Sequence, residues 1–179
     1  MDNPLSGHLS AVRGPLRPYA RLLLVLDTAA GWTIVGLLST MVAVVAVQVL
    51  LRYATNFSLG WADELARLTF VWTMFLAIPL GIRAGVHIGM EILTARLPGP
   101  VQGALARIMA AIAAALMVLV AWQSAVVAFD QWDEKMASME ASAAWFIVAV
   151  AIGCTHAALH LVLIVLAGKP RGAIMVATE

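Results

Sequence analysis

Three stretches of this chain run without a charged residue for longer than a bilayer is thick. Residues 28–51 are 24 uncharged positions, 108–129 are 22 and 141–167 are 27. A helix rises about 1.5 Å per residue, so roughly 20 apolar residues cross a ~30 Å hydrocarbon core, and each run clears that length. A fourth run, 68–82, has only 15 residues. It reaches about 22 Å and spans only by borrowing its polar flanks. The pattern predicts an all-α, four-helix integral membrane protein forming one membrane domain over residues 1–179. The spans are expected at approximately 25–51, 60–83, 104–129 and 142–167.

Composition agrees with this class. The chain is 63% hydrophobic and 12% charged, with a mean hydropathy of +0.94. A soluble domain carries roughly a quarter charged residues, so lipid must serve as part of the solvent here. The single cysteine, Cys154, excludes an internal disulfide or a cysteine-based metal cluster. The first apolar run is too long for a signal-peptide core and is read as a retained helix.

Charge distribution orients the spans. Arg13, Arg17, Arg21, Arg83, Arg96, Arg107, Lys169 and Arg171 fall on one side, against Arg52, Arg67 and Lys135 on the other. The positive-inside rule puts both termini in the cytoplasm, with residues 1–22 as a basic tail. The connection 130–141 then faces outward and carries Asp130, Asp133, Glu134 and Glu140 against one lysine. Pro98, Gly99 and Pro100 interrupt the chain before the third span, and Gly168, Lys169 and Pro170 stop the fourth. Trp122, Trp132 and Trp145 sit where an interfacial aromatic belt would lie. No internal repeat is visible, which counts against a self-sufficient transporter.

Few polar residues remain. Asp63 and Glu64 lie four and three residues before Arg67, so a helix would bring both acids within reach of the arginine. Because the second apolar run is short, this turn is expected at membrane depth, facing protein rather than water. Arg83, His87 and Glu91 share one helical stripe, and Gly81, Gly85 and Gly89 share another suited to close helix approach. Pro79 should disturb the helix just before them. Residues 86–97 read as an amphipathic segment lying along the inner surface. Ala106, Ala110 and Ala114 form a small-residue ladder, and Gln48 and Gln123 can hydrogen-bond between helices. His156 and His160 stand four apart in the last span. A metal or haem role is the sharper reading of that pair, and packing or interfacial placement the favoured one. No nucleophile–base pair, carboxylate dyad, phosphate loop or nucleic-acid signature supports an enzyme or a nucleic-acid partner.

The segment RYATNFSLGWADELARLTFVW, running into FLAIPLGIRAGVHIGMEIL, resembles the small membrane subunit of tripartite ATP-independent periplasmic (TRAP) transporters. The residues that carry the likeness are Arg52, Tyr53, Ser58, Trp61, Asp63, Glu64, Arg67, Phe70 and Trp72, then Arg83, His87, Ile88 and Glu91. They cover about forty residues; Pro79 departs from the small or aliphatic residue of the family pattern. The resemblance implies a bacterial inner-membrane protein that scaffolds a large permease subunit and helps dock a periplasmic substrate-binding protein. Ion-coupled uptake of an organic acid would follow, with the coupling ion, sodium, held by the large subunit and no cofactor in this chain. Phospholipid is the remaining partner. Interface candidates on this view are Arg52, Trp61, Asp63, Glu64, Arg67, Trp72, Gly81, Arg83, Gly85, His87 and Glu91. Docking candidates are Asp130, Asp133, Glu134 and Glu140. An independent small channel or transporter, a haem-binding electron-transfer subunit and a generic assembly factor remain the other classes.

Overall fold

The computed structural model describes residues 16–84 and 99–167, and these contain four helices long and apolar enough to cross a membrane. They are α1 (Arg17–Thr55), α2 (Gly60–Arg83), α3 (Gly99–Asp130) and α4 (Ala144–Ala167). The all-α expectation holds for these residues. The predicted amphipathic segment 86–97 lies outside them.

The first helix is longer than the uncharged run that announced it. It begins at Arg17, inside the stretch read as a tail, with Pro18 in its opening turn. Proline is tolerated there because the first helical N–H groups have no intrahelical acceptor. At 39 residues α1 is about 58 Å long, well beyond one hydrocarbon thickness. It ends at Asn56, whose φ of 53° is left-handed and whose N–H returns to the Arg52 carbonyl at 3.1 Å. Asparagine reaches that conformation at lower cost than a branched residue, so the chain reverses into α2 within a few positions. Threonine hydroxyls inside the helices return to the carbonyl four residues earlier, as at Thr28, Thr40, Thr73 and Thr155. Such bonds satisfy hydroxyls where no water competes.

Packing runs in the order α1, α2, α4, α3, with extensive contact between successive members and little between α1 and α4. The most apolar window of α4 is half buried, while that of α1 has no buried residue. The α3–α4 seam uses the alanine ladder: Ala110 and Ala114 pack against Ala157, Leu161 and Ile82. Small side chains let the two backbones approach, which is how apolar helices gain contact in lipid.

The α2–α4 crossing has a more specific cause. Pro79 lies buried within α2 and has no N–H to give the Phe75 carbonyl four residues back. Gly153 of α4 meets that carbonyl so closely that a Cβ there would fall 2.5 Å from the oxygen. A glycine is required, and its Cα–H can offer the carbonyl a weak hydrogen bond in place of the missing one. At Gly81 the helix face is open among the described residues: a Cβ added there would meet nothing within 4 Å. Gly85 and Gly89 lie outside the described residues.

Candidate functional site

Polar residues in this bundle gather at its two ends. At the end where α1 begins, Asp27 of α1 is 3% exposed and is surrounded by three donors. Arg83, in the last turn of α2, donates to Asp27 Oδ2 at 2.9 Å. On α4, His156 Nε2 lies 3.1 Å and His160 Nε2 2.8 Å from Asp27 Oδ1. An ionised carboxylate has no proton to give, so both rings donate from Nε2, which sets their tautomer. The carboxylate and the guanidinium form a formally neutral pair, and the two imidazoles complete the shell around Asp27. No buried side-chain nitrogen or oxygen among the described residues lacks a partner. A buried ion pair is tolerated under those conditions, because remaining lone pairs are satisfied along with the charges.

Neighbouring contacts hold α1 in place for this cluster. Tyr19 donates its hydroxyl to the Leu159 carbonyl at 2.7 Å, and Ala20 and Leu23 pack on Leu163. The histidines thus have a role beyond apolar packing, since they ligate a carboxylate through hydrogen bonds. Asp27 itself was absent from the sequence-based candidates. The signal was present: Leu22 to Leu26 precede it and Thr28 onward follows, so the aspartate interrupts one apolar stretch rather than ending it. An acid in such a stretch faces protein and has a partner by default.

The opposite end is built on the first turn of α2. Glu64 accepts from the Ala137 N–H at 2.7 Å, from the Ser138 N–H at 2.9 Å and from the Ser138 hydroxyl at 2.7 Å. The same hydroxyl also lies 3.0 Å from the Gly60 carbonyl. The connection between α3 and α4 is consequently an ordered turn. Met136 N–H bonds the Ala141 carbonyl at 2.9 Å and Ala143 N–H bonds the Glu134 carbonyl at 2.8 Å, with Met136 buried beneath. Asp130, Asp133, Glu134 and Glu140 all lie exposed on it.

Asp63 turns the other way and accepts from Gln48 Nε2 of α1 at 3.1 Å. The expected pairing of Asp63 and Glu64 with Arg67 is therefore not formed. Each acid has a partner on another element, and Arg67 is exposed with no ion pair among the described residues. Trp72 donates its indole N–H to the Trp145 carbonyl at 3.1 Å, and Trp145 stands between Trp72 and Trp132 at centroid separations of 6.3 and 6.0 Å. Trp122 is 69% exposed on α3 and is no part of that group. Arg52 and Trp61 are exposed near this end, and Gln123 is exposed on α3. His87, Gly85 and Glu91 lie outside the described residues.

The candidates thus divide. Asp63, Glu64, Trp72 and the four loop acids belong to the hairpin end, and Arg83 belongs with Asp27 and the two histidines at the other. Two open apolar grooves run along the described helices. One is lined by Ala114, Ala115, Val118, Leu119 and Trp122, and the other by Leu38, Ser39, Val42 and Ala43. Neither groove offers a cation or a set of N–H donors that would bind an anionic solute.

A family model described as "Tripartite ATP-independent periplasmic transporters, DctQ component" matches residues 41–168. The C4-dicarboxylate TRAP transporter small permease protein DctQ of Rhodobacter capsulatus is 34% identical over 58 residues. That alignment covers 32% of this chain and 26% of the relative, about a quarter of the relative's length.

Proposed function

We propose a scaffolding role from one premise: this chain belongs to the DctQ component family of tripartite ATP-independent periplasmic transporters and is a small permease subunit. In this reading it performs no catalysis and holds no transported solute. It enlarges the membrane footprint of a large permease subunit, which carries the solute and sodium sites. A periplasmic binding protein delivers an organic acid to the assembled pair in the bacterial inner membrane. Both termini of this chain then face the cytoplasm, and the hairpin between α3 and α4 faces the periplasm.

The observation that carries the proposal is the unequal burial of the helices. Side chains such as Trp32, Val35, Val42 and Leu50 on α1, and Ile108, Leu119, Trp122 and Phe129 on α3, are exposed. A bundle arranged around its own pathway would turn polar groups toward a central cavity. This one is a row with apolar outer helices, suited to contact lipid on one face and a second membrane protein on another. Ordered acids on the hairpin supply a charged surface for a soluble partner, and Glu64 fixes the turn that presents them.

The test uses the assembled transporter in proteoliposomes. Neutralising Asp130, Asp133, Glu134 and Glu140 to their amides should raise the binding-protein concentration needed for half-maximal uptake, most strongly at low salt, where exposed charges are least screened. An unchanged requirement at low salt rejects the docking role. Arg67→Ala should weaken co-purification of the large subunit, because its exposed guanidinium has no acidic partner among the described residues. Unaltered assembly and uptake reject that interface assignment.

A further inference from the structure

We propose that Asp27, His156 and His160 form a binding site for one divalent first-row transition ion, zinc foremost. The donor set is two imidazoles and one carboxylate, which suits zinc and its neighbours far better than magnesium or calcium. The three ligand atoms all lie within 4.8 Å of one another, and all three residues are buried. Asp27 Oδ1 lies 3.1 Å from His156 Nε2 and 2.8 Å from His160 Nε2. Two ligands each about 2.1 Å from an ion and at right angles to it are about 3.0 Å apart. Both separations from the carboxylate are thus those of adjacent ligands around one ion, and with the two imidazole nitrogens within 4.8 Å of each other the cluster offers a two-histidine, one-carboxylate donor set, with further coordination positions open to water or a small anion.

The surrounding structure is built to hold such a set. His156 and His160 are one turn apart on α4, with ring centroids 5.2 Å apart. Arg83 engages Oδ2 at 2.9 Å, which orients the carboxylate and leaves Oδ1 to act as a single-oxygen ligand. Its charge also opposes a second cation, so an anion or hydroxide on an open position belongs to the filled site. Uptake of the ion requires each Nε2 to present its lone pair. In the filled site each ring then carries its proton on Nδ1. The consequence is mechanical. Contacts between α1 and α4 are few, and an ion here would join the two helices directly.

The test uses the untagged full chain in detergent, stripped with chelator and titrated with Zn2+ by calorimetry and with Co2+ by visible absorption. The expected result is one ion per chain, a Co2+ spectrum of nitrogen and oxygen ligation, and a raised melting temperature. His156→Gln and His160→Gln should each weaken binding about 10- to 100-fold or more, while the His8→Ala/His87→Ala double variant retains it. Binding that persists undiminished in the two glutamine variants, or disappears in the His8/His87 variant, overturns the proposal. Should either glutamine variant fail to fold, the wild-type chain decides alone: no Co2+ absorption at saturating ion overturns it.

Discussion

The two ends of this bundle solve the problem of polar groups near lipid in opposite ways. At the Asp27 end, charge is taken inside and neutralised: one carboxylate receives an arginine and two imidazoles from two other helices. At the Glu64 end, the carboxylate stays accessible and binds backbone instead, holding Ala137 and Ser138. The first arrangement fastens helices to one another; the second fastens a loop to a helix. The difference follows from position. Asp27 lies within an apolar stretch of α1, where an unpartnered charge would be costly, whereas Glu64 lies in an opening turn that water can reach.

The largest expected effect breaks the first arrangement on one side only. Arg83→Ala leaves the buried Asp27 charge with imidazole donors alone, and loss of one member of a buried pair costs about 3–5 kcal/mol. Thermal unfolding in detergent should show it as a large fall in melting temperature. Next comes the helix crossing between the two ends: Gly153→Ala drives a methyl into the Phe75 carbonyl. Overpacking of this kind costs about 1–3 kcal/mol, visible in the same melt.

These two effects also mark where the sequence was readable. Four spans could be read from uncharged run lengths, because lipid penalises charge over a fixed thickness and leaves a length signature. The alanine ladder was readable for the same reason, since its spacing places small residues on one helix face. Asp27 was not, because counting uncharged residues from Thr28 placed it at the edge of the run, whereas the helix continues back to Arg17. Gly153 was hidden because its cause lies on another helix, at a carbonyl that Pro79 leaves without its usual donor. Asp63 and Glu64 drew attention as partners of Arg67, since helix spacing reveals only neighbours along one element. Their actual partners, Gln48 and the 137–138 turn, depend on how three elements pack.

At the hairpin end the effects are local. Glu64→Ala should accelerate hydrogen exchange at the Ala137 and Ser138 amides while leaving protection in α1 and α4 nearly unchanged. Equal loosening of both ends by that substitution would erase the distinction between them. The smallest effect belongs to Gln48→Leu, which removes one exposed hydrogen bond to Asp63. It should alter stability by no more than about 0.5 kcal/mol in the melt.

The role as a fitting for a larger transport protein is tested most directly by affinity isolation of the full chain, mildly solubilised from membranes that also contain its transporter partners. Near-stoichiometric recovery of a large many-span permease is expected, retained through gel filtration. Recovery of this chain alone, from membranes in which that permease is present and intact, would contradict it.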